Sequence, residues 1–238
     1  MDPIFQINDK LVDKMSLIVS IKSTNGVVIA SDSRAVFADW RYNDTSNKVF
    51  QLNNHAACAL AVDVDYIIPS IEEFQGNSDN DKGITEIANN LAAKVTDDIN
   101  GTQALQVEIF KKNDPIFGMV FGGYDKDESG NFTIKKMYQY NLNAPRPIPI
   151  TDSYYCEGQK TLALITLESL SRAEADIEES VRLAVYTIFE TASNFLGVGG
   201  PINVIKLDDN GLVSMLNENE VSNALEEGKN RYERTNQT

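Results

Sequence analysis

The chain contains the run Leu17-Ile18-Val19-Ser20-Ile21-Lys22, then Ser23-Thr24-Asn25-Gly26, then Val27-Val28-Ile29-Ala30-Ser31-Asp32-Ser33. The two outer runs are rich in β-branched residues, and an Asn-Gly pair between two such runs predicts a tight hairpin turn. Neither run shows the apolar and polar alternation of a strand with one face in water. We therefore expect two paired strands that are covered on both faces, in the interior of a layered fold.

Outward from this hairpin, strands and helices come in blocks rather than in alternation. Strands are predicted at residues 48–52, 55–62, 105–110, 116–122, 132–140, 154–156, 202–207 and 212–216. Helices are predicted at residues 65–74, 84–99, 160–170 and 177–192, followed by a short acidic helix near the end. This order favours an α+β fold, a four-layer αββα sandwich in which two packed, mainly antiparallel sheets lie between two helix pairs.

The composition excludes several classes of protein. At 238 residues with 42% hydrophobic residues, the chain suits one sizeable domain. The formal net charge of -14 and the lack of a basic stripe argue against nucleic-acid binding, because phosphate recognition depends on Lys and Arg. Cys58 and Cys156 lie in apolar, strand-like runs and are predicted to be buried free thiols. His55 is the only histidine, and we expect neither a metal nor a cofactor.

The location is predicted from two further features. Residues 1–15 hold three Asp and no long apolar core, so we expect no signal peptide. No stretch approaches the length of a membrane span, so no membrane partner is expected. Both features indicate a cytoplasmic protein.

Several motifs in this order resemble those of one known family. The run Gly26–Ser31 with Asp32, Ser33 and Arg34 resembles the second-strand signature of proteasome subunits, and Lys48-Val49-Phe50 follows at the family's usual distance. Phe121-Gly122-Gly123-Tyr124-Asp125 resembles the family's central strand end, and residues 177–184 look like its fourth helix, before Gly199-Gly200. The resemblance covers residues 16 to 216 and is closest to the β subunits among the N-terminal-nucleophile hydrolases.

The resemblance implies a set of site residues. Ser16 matches the position of the N-terminal nucleophile, Asp32 that of the aspartate and Lys48 that of the lysine, with Arg34 as a supporting residue. In this family the free α-amine of the nucleophile is the general base, so residues 1–15 would be an N-terminal extension or propeptide. The backbone N–H of Val62 falls at the oxyanion position. Residues 16–228 would form the domain and residues 229–238 a polar tail.

The resemblance leaves the activity open. Val62 stands where the family has glycine, Gly158 or Gln159 where it has a supporting serine, and Phe195 and Val198 where it has an aspartate and a serine. One interpretation is a threonine/serine-type endopeptidase or amidase subunit, or an amidohydrolase that acts on a small amide. The other is an inactive assembly subunit, in which Asp32, Arg34 and Lys48 are only a buried charge network. Both subunit interpretations imply self-association into rings or double rings, and the peptidase implies a peptide or protein substrate.

Overall fold

A computed structural model describes residues 16–36, 42–61, 67–101, 118–141, 143–209 and 212–235. The predicted strand at residues 105–110, the proposed oxyanion residue Val62 and the predicted propeptide at residues 1–15 lie outside these ranges. The domain boundaries therefore stay a prediction.

Two five-stranded antiparallel sheets form the centre of the protein. The first sheet has the order β10-β1-β2-β11-β12 and consists of β1 (Leu17–Ser23), β2 (Gly26–Ser31), β10 (Tyr154–Gly158), β11 (Asn203–Asp208) and β12 (Val213–Met215). The second has the order β5-β6-β7-β8-β9 and consists of β5 (Val49–Asn53), β6 (Ala56–Ala61), β7 (Gly118–Lys126), β8 (Phe132–Tyr140) and β9 (Ile148–Ile150). The predicted first hairpin is confirmed, since Ser23 pairs with Gly26 and Ile18 with Ser31.

Helices cover the outer face of each sheet. They are α1 (Ile68–Asn77), α2 (Ile84–Gly101), α3 (Lys160–Leu170), α4 (Ile177–Asn194) and α5 (Glu218–Thr235). Helices α1 and α2 pack on the second sheet, and α3 and α4 pack on the first. Helix α5 lies against α4. The predicted α+β sandwich of the αββα type is confirmed, with α5 as an addition to one helix layer.

Successive residues of the central strands point into different cores. Leu17 and Val19 of β1 face the helices of the first sheet, whereas Ile18 faces the second sheet. Between the sheets, Ile29 of β2 packs in one apolar cluster with Ala57 of β6. Strands buried on both faces explain why the first hairpin shows no alternation in the sequence.

The two cysteines lie in different outer cores. Cys58 is wholly buried in the core under α1 and α2, and Cys156 is buried in the core under α3, α4 and α5. Both are free thiols, as the sequence predicts.

Three segments differ from the predicted secondary structure. The connection through Pro147 and Pro149 contains the edge strand β9, and the polar segment after Asp32 contains a two-stranded ribbon of β3 (Ala35–Val36) and β4 (Tyr42–Asn43). The predicted short acidic helix near the end is longer than expected, because α5 continues through residue 229 to Thr235 and buries Tyr232 against α4.

Candidate active site

The candidate site lies where three strand ends meet between the two sheets. Ser16 immediately precedes β1, and Asp32 immediately follows β2. Because β1 and β2 are antiparallel, with Ile18 opposite Ser31, the start of one lies beside the end of the other. Lys48 immediately precedes β5 of the second sheet and enters the same region. The structure thus brings together three residues that are far apart in the sequence.

Lys48 is the centre of this arrangement. Its Nζ lies 2.9 Å from Ser16 Oγ, 2.9 Å from Asp32 Oδ1 and 2.6 Å from the carbonyl oxygen of Arg34. An ammonium group has three N–H donors, and each of them has an acceptor here. The Lys48 side chain is wholly shielded from solvent. Burial lowers the pKa of Lys48, and the neighbouring Asp32 carboxylate acts against that shift.

Asp32 is held by donors on both carboxylate oxygens. Lys48 Nζ and the backbone N–H of Leu17, at 3.0 Å, donate to Oδ1. The backbone N–H groups of Arg34 and Gly199 donate to Oδ2 at 3.3 and 3.1 Å. Burial raises the pKa of Asp32, while Lys48 and the N–H groups of Leu17 and Gly199 counteract the rise. Since every one of these partners is a donor, the environment suits the ionised carboxylate.

The backbone of Ser16 is fixed from the side of β10. The N–H of Gln159 donates to the Ser16 carbonyl oxygen at 2.8 Å. Gly158 has a φ of 92°, and a Cβ at this position would lie 1.9 Å from that oxygen. Glycine is required here for both its conformation and its size. The Ser16 hydroxyl oxygen accepts a bond from Lys48, so its own hydrogen remains available to a base.

The Arg34 side chain points away from Ser16. Its Nε and Nη2 donate to the two carboxylate oxygens of Asp44 at 2.7 and 2.8 Å, and Nη1 donates to the carbonyl of Leu196 at 2.8 Å. The ring of Tyr42 lies 4.2 Å from the guanidinium carbon. Only the Arg34 main chain reaches the buried centre, through its N–H to Asp32 and its carbonyl to Lys48.

Sequence comparison assigns this architecture to a family. The family described as proteasome subunit matches residues 12–207, which is most of the chain. The chain belongs to the proteasome subunit family. The "Proteasome subunit beta 1" of Korarchaeum cryptofilum is 22% identical over 218 residues, covering 88% of this chain and 95% of that protein. The "Proteasome subunit beta 1" of Staphylothermus marinus is 25% identical over 198 residues, covering 82% and 85% of the two chains.

A solved structure supports the same fold for this proteasome family member. The Anbu (Gly-1) mutant from Hyphomicrobium sp. strain MC1 superposes with a TM-score of 0.67, covering 94% of this chain and 97% of that chain, at 16% identity. Together with the family match, this likeness makes the protein a divergent proteasome-like member of the N-terminal-nucleophile hydrolases, as the motifs indicate.

Within the ranges given above, no group of three His, Cys, Asp or Glu side chains comes together as a metal site. None of the described helices is long and apolar enough to cross a membrane.

The sequence does not reveal the part that three residues play in the site of this proteasome relative, although Gly158 and Gly199 stand in its motifs. Asp44 orients Arg34, and the Gly199 N–H binds Asp32. The positive φ of Gly158 accommodates the Ser16 carbonyl. The glycine in Gly199-Gly200 is visible as a motif, but nothing in the sequence around Asp44 distinguishes it from the neighbouring polar residues.

Proposed function

We propose that this proteasome-like protein is an N-terminal-nucleophile hydrolase that cleaves peptide or amide bonds, with Ser16 as the nucleophile. The observation that supports the proposal most is the position of Lys48 Nζ, 2.9 Å from both Ser16 Oγ and Asp32 Oδ1. Lys48 and Asp32 are wholly buried, whereas Ser16 keeps 9% of its surface exposed. A buried lysine beside a serine hydroxyl lowers the free energy of the alkoxide, which makes the hydroxyl a better nucleophile.

The chemistry begins after the Met15–Ser16 peptide bond is cut. The freed α-amine of Ser16 takes the hydroxyl proton while Oγ forms a bond to the substrate carbonyl carbon. Lys48 stays charged and stabilises the developing negative charge on Oγ, and Asp32 holds Lys48 in place. The backbone N–H of Val62 is the proposed oxyanion donor. The α-amine then gives its proton to the leaving amine, and a water molecule hydrolyses the acyl-enzyme.

Peptides or proteins are the proposed substrates, and self-association into rings is the proposed assembly. The similarity to proteins named proteasome subunit beta 1, over 82–88% of this chain, supports both. One exposed apolar residue on the outer helix layer is compatible with assembly. Helix α3 buries only Ala163 and Leu167 among its residues, while Ile165 on the same helix is 56% exposed. A cytoplasmic location fits this proposal.

The test follows the chemical state of residue 16. We expect intact mass spectrometry to show loss of residues 1–15 in the wild-type protein, and a β-lactone probe to add its mass to Ser16. Ser16→Ala removes the oxygen that forms the covalent bond, so it should abolish both events. Ser16→Thr keeps a hydroxyl and should retain them, which separates loss of chemistry from loss of folding. A full-length, unlabelled wild type after prolonged incubation would refute the proposal.

A non-catalytic subunit is the second candidate function. It is favoured by Phe195 and Val198, which stand where the family has an aspartate and a serine. Val198 is wholly buried in the apolar core under α4, so its side chain offers no polar group to the site. In this candidate the Asp32–Lys48 pair only stabilises the junction of the two sheets. The same mass measurement distinguishes the two candidates, because an assembly subunit stays unlabelled while it forms rings.

A further inference from the structure

Asp44 is joined to the buried centre through the side chain of Arg34. The two carboxylate oxygens of Asp44 accept bonds from Nε and Nη2 of Arg34 at 2.7 and 2.8 Å. This two-point contact fixes the plane of the guanidinium as well as its position. The side chain of Arg34 is 16% exposed and that of Asp44 is 33% exposed, so the pair is partly shielded from water.

The fixed guanidinium in turn packs against the turn at Gly199. A Cβ at Gly199 would lie 2.6 Å from Arg34 Cζ, so only glycine leaves room for this contact. Arg34 Nη1 also donates to the carbonyl of Leu196 at 2.8 Å. The N–H of the same Gly199 donates to Asp32 Oδ2 at 3.1 Å. The turn at 196–199 is therefore held between the Arg34 guanidinium on one side and the Asp32 carboxylate on the other.

Hydrogen bonds also tie the same three segments together at Ser33. The Ser33 N–H donates to the carbonyl of Gly199 at 3.1 Å. The Ser33 Oγ lies 2.5 Å from the carbonyl oxygen of Pro201 and 3.1 Å from that of Asp44, and its single hydrogen is directed at these two acceptors. The N–H of Ser46 donates to the Ser33 carbonyl at 3.1 Å. Ser33 lies between Asp32, whose carboxylate binds Lys48, and Arg34, whose carbonyl oxygen binds Lys48.

We propose that Asp44 is a positioning residue for the Ser16, Lys48 and Asp32 centre. It acts by holding the Arg34 guanidinium against Gly199, which directs the Gly199 N–H at Asp32 and keeps the Arg34 carbonyl in reach of Lys48. Asp44 binds Arg34 rather than the three residues themselves, and its charge also acts on Lys48, where it opposes the lowering of the Lys48 pKa by burial. The kinetic consequence rests on the proposed function, whereas the effect on the Gly199 hydrogen bond does not.

Two variants disturb this chain of contacts at different points. Asp44→Asn removes the charge and one of the two acceptors for Arg34. Gly199→Ala places a methyl group where the guanidinium lies, so the guanidinium must move away. Asp44→Glu keeps a carboxylate and is the conservative variant. Glu227→Gln is the matched control, because it breaks a different Arg–carboxylate pair, between Arg182 and Glu227 at 3.0 Å.

The first measurement is amide hydrogen exchange in the whole protein. We expect exchange at the Gly199 N–H to be at least about fivefold faster in Asp44→Asn and Gly199→Ala, because the turn opens more often. Asp44→Glu should recover most of the protection, and Glu227→Gln should leave Gly199 unchanged. The proposal would be overturned if the N–H of residue 199 exchanged at the wild-type rate in both Asp44→Asn and Gly199→Ala, with circular dichroism matching the wild type.

The second measurement is the rate of β-lactone labelling at Ser16. We expect the maximal labelling rate to fall between about 10-fold and ~100-fold in Asp44→Asn, since small misplacements of reacting groups have effects of this size. The probe concentration at half-maximal rate should stay the same, because Asp44 does not line the nucleophile. A change in that concentration alone would contradict a positioning role. An unlabelled wild type would refute the proposed function only, and the exchange rates would still decide the role of Asp44.

Discussion

Lys48 and Asp32 form an ion pair whose two side chains have no exposed surface. Moving two charges out of water costs several kcal/mol each, and the attraction between them offsets this only when the remaining donors and acceptors are satisfied. Here they are satisfied, through Ser16 and the Arg34 carbonyl for Lys48 and through backbone N–H groups for Asp32. The pair is therefore sensitive to the loss of either partner.

We expect Asp32→Asn and Lys48→Met each to lower the free energy of unfolding by about 3–5 kcal/mol. Each variant leaves the charge of the remaining partner buried and without its counter-charge. The double variant should lose clearly less than the sum. Urea unfolding at one protein concentration measures all three. Glu178→Gln, which breaks an exposed pair with Lys206, is the control and should cost at most about 1 kcal/mol. Additive losses would show that the two charges are not coupled.

At the residue scale, the sequence predicts the side chains of the centre but not what surrounds them. Ser16, Asp32 and Lys48 follow from the resemblance to proteasome subunits, and the structure places Lys48 within hydrogen-bonding distance of the other two. Asp44 lies in a polar segment whose position depends on contacts with the turn at Gly199, far along the chain. Such contacts leave no local pattern in the sequence. The catalytic roles of the three stay a prediction.

At the element scale, Asp125 links the second sheet to the start of α2. It lies on β7, and its carboxylate accepts the backbone N–H of Thr85 at 3.0 Å and a bond from the Thr85 hydroxyl. Lys136 Nζ lies 2.8 Å from the same carboxylate. Burial alone would raise the pKa of Asp125, but Lys136 and Thr85 together lower it below its usual 3.8. Asp125 thus caps a helix from a neighbouring strand.

We expect Asp125→Asn to lower the free energy of unfolding by about 1–2 kcal/mol at neutral pH, the usual value of a helix cap. Because the folded pKa of Asp125 is lowered, its contribution is present above the unfolded value and disappears as the pH falls through the folded value. The difference between wild type and variant should therefore shrink in acid. Urea unfolding across a pH series measures it. Asp81→Asn, in an exposed pair with Lys126, should show no such trend.

The element predictions that failed have physical reasons. Strand β9 contains Pro149, which usually excludes a strand, but proline is tolerated at a sheet edge and β9 is an edge strand. The sequence predicts a shorter helix than the observed α5, because this part of the chain is strongly polar. It buries Ala224 and Tyr232, and the Tyr232 hydroxyl donates to the buried Glu179 at 2.7 Å. Its length depends on packing against α4, which sparse apolar spacing does not reveal.

At the scale of the whole molecule, the charge of -14 opposes the assembly that the proposed function requires. We expect light scattering to show a ring whose mass is a whole-number multiple of the subunit mass, which is 26.4 kDa before residues 1–15 are removed. The assembled fraction should rise with salt as repulsion between subunits is screened. Ile165→Lys should weaken assembly, because it replaces the exposed apolar residue of α3 with a charge. Leu212→Lys, at another exposed apolar residue, is the control. A monomer at every salt concentration would contradict ring formation.

Each helix layer covers one native thiol, Cys58 under α1 and α2 and Cys156 under the opposite layer, and its alkylation reports when that layer opens. Burial raises the pKa of both, that of Cys156 to about 12, so neither forms much reactive thiolate while its layer is closed. Alkylation of Cys58 requires the layer of α1 and α2 to open, and alkylation of Cys156 requires the opposite layer to open. The rates at which the two helix layers open can therefore be measured separately in the same sample, without an engineered cysteine.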